Sequence, residues 1–269
     1  MVLKNAMQHR ARKRFGQNFL HDRGIIERII QSIKPLAGEH LLEIGPGQGA
    51  LTEYLAASEA KLDCVELDRD LAKFLDNLYG GKPGFTLYQE DILKFDLNKL
   101  EADEHSLRVI GNLPYNISTP VLFYLLKNYA LIKDMTFMLQ LEVVQRLAAQ
   151  VGEKNYGRLG LMLQYFCTVE HLFDVPASAF SPQPKVTSAV VRLTPHKKLP
   201  LPARSVENLQ IVIRTAFGQR RKTLKNSLSS IISEQALKEL PLDINLRPQN
   251  LSLADYVLIS DTFPLTPPS

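Results

Sequence analysis

Between residues 40 and 141 the chain alternates short apolar runs with stretches of helical spacing. The apolar runs have the length of buried strands and lie at residues 40–44, 62–67, 86–88, 107–110 and 135–141. Helical patterns begin near residues 50 and 70 and at Ser118 or Thr119, where Pro120 suits the first turn of a helix. Because strands separated by helices form βαβ units, this alternation predicts an α/β fold around a parallel sheet.

The character of the sequence changes near residue 194. Residues 194–202 hold three prolines and two lysines, which is typical of a linker. Beyond them, apolar residues from Leu209 to Phe217 follow helical spacing, and Gly218 is positioned to break that helix. A second helix from Gln219 would bring onto one face Leu224, Leu228 and Ile231. We therefore predict two domains, residues 1–198 and a small all-helical domain at residues 199–269.

A glycine-rich loop, Gly45, Gly47 and Gly49, follows the first predicted strand. Glycines at this point allow a tight turn and let a ligand approach the backbone. Glu66 ends the second strand about 20 residues further on, where a carboxylate can accept both hydroxyls of a ribose. Because Ala50 is the sixth residue counted from Gly45, the loop also fits the Gly-x-Gly-x-x-Ala form of the motif that binds NAD.

Two further carboxylates favour S-adenosylmethionine over NAD. Glu43 precedes the loop, and the Gly-x-Gly-x-Gly spacing resembles motif I of Rossmann-like methyltransferases. Asp91 follows the third strand, where that superfamily binds the adenine amino group. Leu67, which follows Glu66, and Ile92, which follows Asp91, are also predicted to contact the cofactor.

The tetrapeptide Asn112, Leu113, Pro114 and Tyr115 directly follows the fourth strand, at the same predicted edge. An adenine amino nitrogen is a poor nucleophile because its lone pair is delocalised into the ring. The side-chain oxygen of Asn112 and the carbonyl of Leu113 could accept the amino hydrogens and localise that lone pair. Pro114 favours an extended Leu113, and the Tyr115 ring can stack on an extruded base. We predict that the motif is catalytic.

Basic side chains concentrate in two segments. Residues 1–34 hold eight basic and two acidic groups, and residues 185–230 hold ten basic groups and one acidic group. The segment between them, residues 35–184, is acidic, with twelve basic and twenty acidic groups. Such a partition predicts a surface for a polyanion beside a site of another kind.

Segments along nearly the whole chain resemble the KsgA-type ribosomal RNA adenine N6,N6-dimethyltransferases. They are residues 13–22 (KRFGQNFLHD), 43–49 (EIGPGQG), 65–68 (VELD), 111–116 (GNLPYN), 180–186 (FSPQPKV) and 217–224 (FGQRRKTL). The resemblance implies a Rossmann-like S-adenosylmethionine-dependent methyltransferase fold with a small C-terminal helical domain. It also implies dimethylation of two adjacent adenosines in the 3′-terminal hairpin of 16S rRNA, with a role in small-subunit biogenesis.

Further site residues follow from that resemblance. Asn18 and Leu20 would join the cofactor site, and Phe180 would sandwich the target base opposite Tyr115. The basic residues assigned to RNA binding are Lys13, Arg14, Arg220, Arg221, Lys222 and Lys225.

Other features narrow the class of protein. Cys64 and Cys167 have no Cys/His cluster near them in the sequence, so neither a disulfide framework nor a metal site is expected. No window approaches a membrane span and no apolar segment of a signal peptide follows the basic N-terminus, so a cytoplasmic protein is expected. The sequence is silent on oligomeric state, and a monomer is taken as the default. The alternatives are a large-subunit rRNA adenine methyltransferase and a non-catalytic ribosome-assembly or RNA-binding factor. An NAD-dependent dehydrogenase would leave the motif at 112–115 and the charge partition unexplained.

Overall fold

The computed structural model describes Arg12 and residues 16–264. They form two compact units: the described residues up to Val144 with Val169–Pro195, and Gln145–Thr168 with the described residues from His196 onward. The second unit thus includes residues 145–168, a segment that lies within the first of the two domains predicted from the sequence.

The strands of the described residues are β1 (Phe19–Leu20), β2 (His40–Ile44), β3 (Lys61–Val65), β4 (Phe85–Tyr88), β5 (Leu107–Asn112), β6 (Ile132–Gln140), β7 (Cys167–Val175), β8 (Phe180–Ser181) and β9 (Ser188–Pro195). Seven of them form one sheet in the order β4-β3-β2-β5-β6-β9-β7. The neighbours from β4 to β6 are parallel, and β9 is antiparallel to β6. The predicted α/β fold is confirmed, and its five predicted strands are all in this sheet.

Three helices connect parallel strands that follow one another in the chain: α2 (Thr52–Leu55), α3 (Arg69–Tyr79) and α4 (Ser118–Lys127). α1 (Arg23–Ile33) precedes β2, and α5 (Leu141–Ala148) follows β6. The carboxylate of Asp22 accepts a hydrogen bond from the Ile25 amide at 3.0 Å and so begins α1. Asp68 caps α3 in the same way, accepting from the Asp70 amide at 3.0 Å. The apolar face of α1 packs into a buried core with residues of β2 and β3.

The parallel register brings the C-terminal ends of β2, β3, β4 and β5 to one edge of the sheet. Close packing between β2 and β5 depends on Gly111, because a Cβ there would lie 2.8 Å from the carbonyl oxygen of Ile44. The loops that follow these strands therefore begin close together, which is where open α/β sheets bind ligands.

The second unit is helical in its described residues beyond Pro195: α7 (Val206–Gly218), α8 (Leu224–Ser227), α9 (Glu234–Leu237) and α10 (Leu253–Thr262) follow α6 (Arg158–Phe166). Aromatic rings form part of its core, with the Phe217 ring 6.2 Å from that of Tyr156 and 5.9 Å from that of Tyr256. The Tyr156 hydroxyl donates to the Leu251 carbonyl at 2.9 Å.

The prediction of a helix starting at Gln219 was wrong. α7 does end at Gly218, but residues 219–222 form a turn, and the next helix spans only Leu224–Ser227. The amides of Leu224 and Lys225 donate to carbonyls at residues 246 and 244, at 2.7 and 3.1 Å, instead of to a preceding helical turn. These tertiary hydrogen bonds replace those of a preceding helical turn. The sequence predicted that Ile231 would lie on the apolar face of this helix, but it is Ile232 that is buried. The expected linker also starts later, because Thr194 and Pro195 belong to β9.

Candidate active site

The glycine loop after β2 uses the conformations that only glycine adopts easily. The φ angles of Gly45, Gly47 and Gly49 are +64°, +60° and +84°. A Cβ on Gly49 would lie 3.0 Å from the Leu75 side chain, whereas a Cβ on Gly45 would have no atom within 4 Å. The backbone at Gly45 is thus exposed to an approaching ligand.

Glu66 follows β3 and joins the end of that strand to the glycine loop. Its carboxylate accepts hydrogen bonds from the Gly47 amide at 3.0 Å and from the Asp68 amide at 2.8 Å. Burial raises the pKa of Glu66, and the backbone hydrogen bonds oppose that rise because they stabilise the charged form. The carboxylate is therefore held in one orientation behind the loop.

Glu43, the last but one residue of β2, is buried below the loop. Its carboxyl accepts a hydrogen bond from the Thr52 hydroxyl at 2.7 Å. Burial raises the pKa of Glu43 to about 7, although the Thr52 hydrogen bond acts in the opposite direction. Burial also raises the pKa of the neighbouring Cys64 thiol, which is consistent with an unreactive core cysteine.

The tetrapeptide at 112–115 is held by contacts to three other segments. The side-chain nitrogen of Asn112, Nδ2, donates to the Asn18 carbonyl at 3.1 Å. The side-chain oxygen of Asn112 is therefore the atom of this group that can accept a hydrogen bond. The Leu113 amide donates to the Met138 carbonyl of β6 at 3.3 Å. The Tyr115 hydroxyl is 2.8 Å from that of Ser188, and burial raises the pKa of Tyr115, so its phenol stays protonated.

The glycine loop, Glu66 and the tetrapeptide line one cleft, whose volume of about 810 Å³ includes the solvent at its open mouth. The predicted site residues brought together there are Asn18, Leu20, Gly45, Gly47, Glu66, Asn112, Leu113, Pro114 and Tyr115. Sequence reasoning did not assign several other lining residues, among them Gly16, Gln17, Phe19 and Leu71. Gly16, Gln17 and Phe19 lie in the segment at 13–22, of which only Asn18 and Leu20 were assigned to the cofactor site. Leu71 lies in α3, outside all of the matching segments.

Five predicted site residues are not part of this lining. Gly49 lies deeper in the loop, and Leu67 is exposed after Glu66. Asp91 follows β4 and accepts a hydrogen bond from the Leu93 amide at 3.0 Å, while Ile92 is buried beside it. Phe180 is buried in the core of the first unit, and its backbone pairs with Leu20 through β8 and β1.

The residues predicted to bind RNA have different environments. Lys13 and Arg14 lie outside the described residues. Arg220 donates to the Lys154 carbonyl at 2.6 Å and to the Gln249 side chain at 2.9 Å, which ties the turn after α7 to two other segments of the second unit. Arg221 and Lys222 are exposed on that turn, and Lys225 is 3.9 Å from Glu234.

The described residues contain no group of three or more His, Cys, Asp or Glu side chains that could hold a metal ion. Within the same part of the chain, no helix combines the length and apolar character needed to cross a membrane.

The sheet order, the glycine loop and the strand-end carboxylate are those of a Rossmann-like methyltransferase. A family model described as ribosomal RNA adenine dimethylase matches residues 8–264. The chain therefore belongs to the ribosomal RNA adenine dimethylase family, whose members are S-adenosylmethionine-dependent methyltransferases.

Individual proteins agree with this assignment. The ribosomal RNA small subunit methyltransferase A of Pseudomonas savastanoi pv. phaseolicola is 56% identical over 95% of both chains. A solved dimethyladenosine transferase from Plasmodium falciparum is 27% identical with a TM-score of 0.74, covering 90% of this chain and 96% of its own. The 23S rRNA methyltransferase ErmE is 25% identical with a TM-score of 0.69, covering 91% and 99%.

Proposed function

We propose that the chain transfers methyl groups from S-adenosylmethionine to N6 of two adjacent adenosines in the 3′-terminal hairpin of 16S rRNA, forming N6,N6-dimethyladenosine. The observation that supports this most is the shared cleft, where the motif at 112–115 faces the glycine loop and Glu66. The 56% identity to a small subunit methyltransferase supports the choice of RNA.

The residues of the cleft fit S-adenosylmethionine. Glu66 is an oriented carboxylate at the end of β3, suited to the two ribose hydroxyls. The open backbone at Gly45 accommodates a ligand that lies close to the loop. The proposed cofactor contacts are Asn18, Leu20, Gly45, Gly47, Gly49, Glu66, Leu67, Asp91, Ile92 and Asn112.

When bound, S-adenosylmethionine supplies an electrophilic methyl group. The chain's own residues orient the target adenine. The side-chain oxygen of Asn112 and the carbonyl of Leu113 accept hydrogen bonds from its amino group, which localises the lone pair on the amino nitrogen. Pro114 favours the backbone conformation that presents this carbonyl. The Tyr115 ring, which lines the cleft, would stack on the base at roughly 1–3 kcal/mol. Phe180 is proposed to stack on the opposite face of the base, and its buried ring would have to become exposed to do so. The methylated nitrogen becomes acidic and releases its extra proton to water, so no strong general base is needed. Catalysis then depends on positioning and electrostatics.

The RNA would be bound by basic residues of both ends of the chain. Arg221 and Lys222 are exposed cations suited to phosphates, and Lys13, Arg14, Arg220 and Lys225 complete the proposed set. We assign methyl transfer to residues 1–198 and part of the RNA contact to residues 199–269. The proposed setting is a cytoplasmic monomer that acts on the small ribosomal subunit or its precursor.

The test is methyl transfer from labelled S-adenosylmethionine to unmethylated small subunits, with large subunits assayed in parallel and nucleosides identified by mass. We expect N6,N6-dimethyladenosine in 16S rRNA alone. Transfer to large subunits instead would favour the activity that the name of ErmE states. No transfer to either subunit, with S-adenosylmethionine bound, would favour an assembly factor.

A further inference from the structure

Residues 16–20, named here the N-terminal strap, form one wall of the cleft. At one end of the strap, Leu20 pairs with Phe180 in the short β1–β8 ladder. At the other end, Gly16 has a φ of +61°, and a Cβ there would lie 3.0 Å from the Asn116 side chain. The strap is therefore packed closely against the segment that follows the catalytic motif.

Arg12 connects the beginning of the strap to the N-terminus of α3. Its guanidinium lies 3.0 Å from the Asp68 carboxylate and also pairs with Asp70. Gln17, a residue of the strap, donates to the second oxygen of Asp68 at 3.2 Å and accepts from the Arg12 amide at 2.7 Å. Both oxygens of Asp68 are thus engaged by the N-terminal segment.

The burial of these groups differs. The Asp68 side chain is 1% exposed, whereas that of Arg12 is 34% exposed. Loss of Arg12 would remove a cationic partner from a buried carboxylate, which is costly even while the hydrogen bonds from Gln17 and the Asp70 amide remain. The ion pair therefore favours the strap in its closed position, and Arg12 remains accessible enough to separate from Asp68.

Asp68 and the strap are each hydrogen-bonded to a proposed site residue, Glu66 and Asn112 respectively. The Asp68 amide donates to Glu66 at 2.8 Å, so displacement of Asp68 would disturb the carboxylate assigned to the ribose. On the strap, the Asn18 carbonyl accepts from the Asn112 amide at 3.1 Å, so displacement of the strap would free Asn112 to rotate.

We propose that Arg12 and Asp68 are positioning residues that hold the N-terminal strap closed over bound S-adenosylmethionine and thereby orient Asn112. This inference rests on the proposed function, because it assigns the cofactor to this cleft. Release of the cofactor would then require separation of Arg12 from Asp68.

The test compares two variants with a matched control. Asp68→Asn removes the charge and keeps an oxygen to cap α3, since Asn is as good a capping residue as Asp. Arg12→Gln removes the other partner. Arg69→Gln is the control, because Arg69 is 81% exposed and its ion pair is to Asp70 at 3.9 Å.

The measurements are the dissociation rate of S-adenosylmethionine and the amide hydrogen exchange of residues 17–20. We expect dissociation roughly tenfold faster in each variant, no further gain in the double variant, and faster exchange in the strap. KM for S-adenosylmethionine should rise more than kcat falls, and Arg69→Gln should match the wild type.

Dissociation and exchange within twofold of the wild type in both folded variants would overturn the inference while leaving the proposed function intact. Failure of the wild type to bind S-adenosylmethionine would overturn both. Additive effects in the double variant would show that Arg12 and Asp68 act separately and would also contradict the proposal.

Discussion

Glu43 offers a prediction whose size can be worked out from the structure. The carboxyl is 2% exposed and its pKa is about 7 in the folded chain, against an ordinary value of 4.5. Between pH 4.5 and about pH 7 the carboxyl of Glu43 holds a proton in the folded state that it has lost in the unfolded state. Stability therefore falls as pH rises through this window, and it is fully reduced above pH 7.

The size of the effect follows from the pKa difference. At roughly 1.4 kcal/mol for each pKa unit, ionised Glu43 reduces the free energy of unfolding by about 3 kcal/mol above pH 7. Part of that loss is already present at pH 5, where the unfolded carboxyl is mostly ionised. Between pH 5 and pH 8 the remaining loss is about 2–3 kcal/mol.

Glu43→Gln removes this titration and keeps an oxygen to accept from the Thr52 hydroxyl. We expect the free energy of unfolding of the wild type to fall by about 2–3 kcal/mol more than that of the variant between pH 5 and pH 8. Urea unfolding of both proteins at the two pH values measures the difference, in which the titration of groups common to both cancels. The same pH dependence in both proteins would refute a buried, protonated Glu43.

Three other substitutions, the first with a control substitution, test separate parts of the structure. Gly111→Ala should lower the free energy of unfolding by roughly 1–3 kcal/mol in urea, because the added Cβ would meet the Ile44 carbonyl. The control Gly81→Ala should be nearly neutral, because a Cβ on Gly81 would have no atom within 4 Å. Glu66→Gln should weaken S-adenosylmethionine binding roughly tenfold to hundredfold in calorimetry through loss of a charged acceptor. Lys222→Glu should weaken RNA binding and flatten its salt dependence with unchanged cofactor affinity; unaltered RNA affinity would contradict its phosphate contact.

The α/β core was predictable because each buried strand is a separate apolar run, and parallel strands necessarily share an edge. For the same reason the sequence predicts that the glycine loop, Glu66 and Asn112 surround one ligand site. β7 (Cys167–Val175) was harder to recognise, since polar residues on its exposed face interrupt the apolar pattern.

Long-range contacts explain what the sequence could not predict. β1 and β8 have two residues each, too few for any periodicity, and their pairing joins distant parts of the chain. The contacts of Arg12 with Asp68 depend on that tertiary arrangement as well. Leu224 and Lys225 have helical propensity, but tertiary hydrogen bonds determine where α8 begins.

We propose that one cleft brings the methyl donor and the Asn112 side chain to the same adenine. The most direct test of this proposal is dimethylation of small-subunit RNA by wild type and Asn112→Ala, with S-adenosylmethionine affinity measured in parallel. We predict that the variant still binds the cofactor, within roughly tenfold of the wild type, and forms no N6,N6-dimethyladenosine. Wild-type levels of dimethyladenosine from Asn112→Ala would contradict the account.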